Sequence, residues 1–187
     1  MFEAAQAVAL VAFVLVAIVV VIGAGRTGRL LARTREAEVF RESVLDLARR
    51  VELSLGSVSE RVDAVRRGDV EPDSIAENIA AALDAVGRYA SEARALTGPR
   101  EAWAARDEIV LEVERLGRAL DMVEHGCAIR SGRRKGEGGA EAETSIKRGY
   151  LNLLHAREAV ARHADDAVRL AEGASPVRRF GRRGHSM

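Results

Sequence analysis

Hydrophobic and polar positions divide the chain into two regimes. From Ala4 to Gly25 there is no charged residue, and Ala7 to Ile22 is unbroken Ala, Val, Leu, Ile and Phe. Beyond Arg26 the apolar residues thin out into stripes separated by charge. An uncharged run of this kind is apolar on every side of a helix. At ~1.5 Å per residue it spans about 33 Å, enough to cross a hydrocarbon core of roughly 30 Å. The pattern predicts a single N-terminal transmembrane helix over 1–25.

The flanks set its nature and direction. No Lys or Arg precedes the run, as a cleaved signal would require. Arg26, Arg29, Arg33 and Arg35 follow within ten residues as a stop-transfer flank. Positive charge held on the inner side predicts an N-terminus outside and a C-terminal portion in the cytoplasm, at the cell membrane. Residues 26–39 carry only a weak stripe (Leu30, Ala37) and read as a short basic helical stalk.

Four amphipathic helices are predicted next. Phe40, Val44, Leu47, Val51, Leu55, Val58, Val62 and Val65 recur at steps of three and four. So do Ile75, Ile79, Ala82, Val86, Tyr89, Ala93 and Leu96, and then Ile109, Val113, Leu116, Leu120, Val123 and Cys127. A fourth stripe is Ile146, Leu153, Ala156, Val160, Ala164, Ala167 and Ala171, with Tyr150 beside it. The punctuation suggests boundaries at 40–67, 74–97, 99–126 and 142–172. Gly68 to Pro72 separates the first pair, and Ser74-Ile75-Ala76-Glu77 reads as a capping box. Gly98-Pro99 ends one helix and starts the next. Gly126 closes the third and Gly173 the fourth. Matched lengths and short early connections predict an all-α fold, an antiparallel four-helix bundle over 40–173 with a loop at 127–141. That topology puts the loop at the distal end and the tail, 174–187, near the bilayer.

Charge refines this picture. Seven carboxylates stand four residues before a base: Asp46–Arg50, Asp63–Arg67, Asp84–Arg88, Glu114–Arg118, Glu143–Lys147, Glu158–Arg162 and Asp165–Arg169. They mark solvated faces, each pair adding only ~0.2–0.5 kcal/mol. With 29 basic and 28 acidic residues the net charge is +1, which argues against a general nucleic-acid surface. The exception is the tail, where Arg178, Arg179, Arg182 and Arg183 surround Phe180. Beside an anionic leaflet each base contributes about 1 kcal/mol, so these residues are candidate anionic-lipid contacts; the bland alternative is a disordered end.

Candidate chemistry is sparse. The basic segment Arg130 to Gly136 has no Gly-Lys-Ser/Thr sequence and no preceding strand, so it is no phosphate-binding loop. His155 and Glu158, like His163 and Asp166, are three apart, but both pairs lie on one helix. Bundle metal sites draw on several helices. His125 and Cys127 are too few ligands for zinc. The single cysteine fits an apolar stripe and excludes an intrachain disulfide framework. No nucleophile elbow or dinucleotide fingerprint is present. The sequence therefore predicts a non-enzymatic scaffold or interaction module with no metal and no cofactor. Its partners would be the bilayer and a protein or a second copy of the chain. A signal-relay module is the alternative, and a ligand- or metal-binding bundle a more distant one.

Overall fold

The computed structural model describes the backbone of residues 2–132 and 138–174, and the side chains of 32–132 and 138–173. Every described element is helical. Helix α1 is Phe2–Arg67, α2 Ala76–Ala95, α3 Trp103–Arg130 and α4 Gly139–Ala174, with 3-10 turns at Pro72–Ile75 and Arg100–Ala102.

The 3.6-residue period explains what is buried. Each of the eight apolar positions of the first stripe, Phe40 to Val65, faces the core. The same holds for Ile79, Ala82 and Val86 of α2, for the α3 stripe through Cys127, and for Ile146 to Ala171 of α4. Cross-helix contacts give the directions. Arg50 meets Glu92 while Gly98 lies against Phe40, so α1 and α2 run antiparallel. Gly126 faces Ala142 and Ile146, and Gly149 faces Ala119 and Val123, so α3 and α4 do too. Arg41 pairs with Glu172 and Arg157 with Glu52, closing α4 onto α1.

The structure corrects several expected boundaries. Stalk and first bundle helix are not separate elements: α1 is unbroken for 66 residues, about 99 Å at ~1.5 Å per residue. It ends as expected at Gly68, whose φ of 82° lets the Gly68 and Asp69 amides donate to Val65 and Ala64 carbonyls. The capping box does not form. Ser74 sits in a 3-10 turn and its hydroxyl donates to the Glu71 carbonyl at 2.7 Å, while α2 starts only at Ala76 and without a side-chain cap. Helix α2 stops at Ala95, and Pro99 precedes a 3-10 turn rather than opening α3.

Gly126 does not close α3. The helix continues to Arg130 and ends at Gly132, whose φ is 72°. Gly126 instead makes room for α4: a Cβ there would lie 2.8 Å from the Ala142 carbonyl oxygen and from Ile146 Cγ1. The expected loop 127–141 shrinks accordingly, because α4 begins at Gly139. At its other end Gly173 lies inside α4.

Of the seven intrahelical ion pairs, Asp46–Arg50 and Asp63–Arg67 form, at 2.9 and 2.8 Å. The other five do not form among the described residues. Glu114 reaches across to Arg94 at 2.5 Å, and Arg169 turns to Asp166. A pair along one helix is worth so little that a neighbouring helix readily supplies a better partner. Glu92 of α2 adds to Asp46, rather than replacing it, as a partner of Arg50. Its hydrogen bonds from Arg50 raise that guanidinium's pKa above its ordinary value. A raised value keeps the charge through the whole neutral range, and the contribution is lost only as pH rises through it.

Candidate functional site

Two ends of the bundle differ in chemistry. At the distal end the Arg130 side chain crosses from α3 and donates to the Val65 carbonyl at 3.1 Å. This arginine, the first of the basic loop segment, therefore ties α3 to the end of α1. Residues 133–137 lie outside the described residues.

At the proximal end, where α1 enters the bundle, the chain folds the α2–α3 connection against α1. Phe40 is 1% exposed, and a Cβ on Gly98 would come within 2.4 Å of its ring. Glycine thus lets the extended stretch 96–99 lie flat on the aromatic ring. Pro99 and the 3-10 turn after it extend the connection towards Arg33. The result is an open cleft of about 350 Å³, lined by Arg33, Glu36 and Ala37 of α1 and by Gly98, Pro99, Arg100, Glu101 and Trp103.

Trp103 dominates this corner. Its indole Nε1 donates to the Gly98 carbonyl at 3.0 Å, which satisfies the polar edge and fixes the ring. Arg100 and Arg106 sit over the ring, 5.6 and 5.9 Å from its centroid. They flank it at −3 and +3, neighbouring positions on a helical turn. Trp103 stays 44% exposed despite these contacts. Arg106 is bound to Asp107 and to the Leu96 carbonyl. Among the described residues no carboxylate forms an ion pair with Arg33 or Arg100.

The residues singled out from sequence are distributed as follows. Arg33 and Arg35 are exposed, and Arg33 lines the cleft. Arg26 and Arg29 fall within α1, but their side chains lie outside the described residues, as do those of the 4–25 segment. Among the described residues no helix is long and apolar enough to cross a membrane. The tail residues Arg178, Arg179, Phe180, Arg182 and Arg183 are likewise outside them. Helix α4 ends on the side of the bundle where α1 enters, with Glu172 against Arg41.

Cys127 is a core residue, 2% exposed, and His125 approaches Glu141 at 3.7 Å across α3 and α4. No group of three or more His, Cys, Asp or Glu capable of holding a metal occurs among the described residues. Leu53, Leu111 and Leu151 each stand two residues from a buried stripe position, so each points away from the core, and on three different helices.

The apolar stripes do not mark this corner, and the arginine pair around Trp103 was not singled out from the sequence. The signal was the Arg100, Trp103, Arg106 spacing. Compared with protein-family models, with curated proteins and with solved structures, the chain finds no match.

Proposed function

We propose that this chain is a single-pass membrane protein whose helical bundle is an interaction or scaffolding module held at the cytoplasmic face, working through non-covalent contacts. One observation carries the reading: the uncharged run 4–25 belongs to the same unbroken helix as the core stripe Phe40 to Val65. The helix begins 35 residues before Ala37, the first buried residue among those described. A helix apolar on all sides needs lipid or protein around it, since water leaves its side chains uncovered. Arg26, Arg29, Arg33 and Arg35 supply the inner-side charge.

The consequence is positional. Anchoring confines the bundle to a thin layer and raises its effective concentration for partners in the same membrane. The unbroken α1 also favours signal relay as a second reading, because a shift of the span would be passed directly to the bundle core.

Crosslinking in native membranes followed by pull-down tests the scaffold reading. Discrete adducts that contain this chain are expected. A chain recovered only as an isolated monomer, across crosslinkers of several lengths, would count against it.

A further inference from the structure

The cleft at Trp103 sits at a height along α1 that gives it a specific neighbour. From Gly25 to Arg33 is about 12 Å of helix, and to Ala37 about 18 Å. The polar layer of a bilayer extends roughly 5–8 Å beyond its hydrocarbon core. An upright bundle would therefore leave the corner roughly 4–13 Å beyond the polar layer, nearest at Arg33. Two effects narrow that gap. Helical side chains lean towards the N-terminus, so Arg33 reaches back along α1 towards the anchor. Membrane helices also tilt by about 20° on average, and a bundle edge ~10 Å from the α1 axis then drops by roughly 3 Å.

The chemistry of the corner matches that layer. A half-exposed tryptophan whose N–H is already satisfied presents an amphipathic ring, the side chain enriched at membrane–water interfaces. Arg33 and Arg100 have no ion-pair partner among the described residues and are free to meet phosphate oxygens. Glu36 and Glu101 also line the cleft, so its net charge is near zero and its attraction to anionic lipid is moderate. We propose that Trp103, Arg100 and Arg33 dock on the phospholipid headgroup layer, so that the bundle leans towards this corner. The inference rests on the anchored reading above, and it deepens that reading by naming the second membrane contact.

Trp103 is the only tryptophan in the chain, which makes the test direct. Full-length protein is reconstituted into phosphatidylcholine–phosphatidylglycerol vesicles carrying a nitroxide either on the headgroup or deep in the acyl chain. The headgroup label should cut tryptophan emission at least twofold, and the deep label by much less. Arg33→Gln with Arg100→Gln should relieve at least half of that quenching while helicity is unchanged, both residues being exposed. In Trp103→Phe with Val70→Trp, the sole tryptophan moves to the distal turn and should be unquenched. Absent headgroup quenching of Trp103, equal quenching at both ends, or no response to the arginine changes would overturn the docking. Release of the reconstituted chain by an alkaline wash would instead overturn the anchor itself, so the two failures are distinct.

Discussion

Alanine at Gly149 or Gly126 will destabilise the bundle, whereas alanine at Gly56 or Gly87 will stabilise it. All four lie within helices, where replacing glycine by alanine gains up to ~1 kcal/mol of intrinsic propensity. Gly56 and Gly87 have open space where a Cβ would go, so that gain should appear in full. At Gly149 a Cβ would stand 2.6 Å from Val123 Cγ2, 2.8 Å from the Ala119 carbonyl oxygen and 3.0 Å from the Val123 amide nitrogen. Two of these three are backbone atoms, which cannot swing aside, so α3 and α4 must separate. Overpacking of this kind costs about 1–3 kcal/mol, more than the propensity gain. Gly126 is the reciprocal contact, pressed on the α4 backbone at Ala142 and Ile146. Thermal unfolding followed by circular dichroism reads the sign. Each kcal/mol is roughly 2–4 °C for a domain of this size. Leucine at Gly149 should exceed alanine in effect.

Phe40→Ala is the second large effect, expected to cost about 3–5 kcal/mol. The ring is buried and carries the α2–α3 connection through Gly98, so its loss leaves a cavity below the turn that positions Trp103. A red shift of Trp103 emission should accompany the lower stability. Gly98→Ala alone should also destabilise, by about 1–3 kcal/mol, because its Cβ would drive into the Phe40 ring. Phe40→Leu should relieve part of that clash. The double variant Phe40→Leu/Gly98→Ala should then be more stable than the sum of the single changes allows, a coupling expected for residues in direct contact. Strict additivity would show that the two do not share one packing site.

Those two glycine sites illustrate what could be read from the chain and what could not. The stripes identified the core almost residue by residue, because burial follows the helical period and the period is local. Glycine has no such local meaning. Gly68 and Gly126 look alike in sequence; one adopts a left-handed turn and the other admits a partner helix, and only the neighbour decides. The same holds for the charges, since whether Glu114 pairs with Arg118 or Arg94 depends on where α2 lies. Ser74 had the right spacing for a capping box, but Pro72 begins a 3-10 turn that redirects its hydroxyl to Glu71. At the candidate site, the Arg100, Trp103, Arg106 spacing is present in the sequence but was not singled out there. Their meeting with Arg33 requires the connection folded onto Phe40 through Gly98, a contact between residues far apart in sequence.

The anchored reading stands or falls on one fractionation. Native membranes are washed with alkaline carbonate and the chain is followed by immunoblot and N-terminal sequencing, with a fragment comprising residues 26–187 alongside. The full-length protein should stay in the membrane pellet with its N-terminus intact, while the fragment passes to the supernatant. Release of the intact chain by the wash, or a mature N-terminus located beyond Gly25, would contradict it.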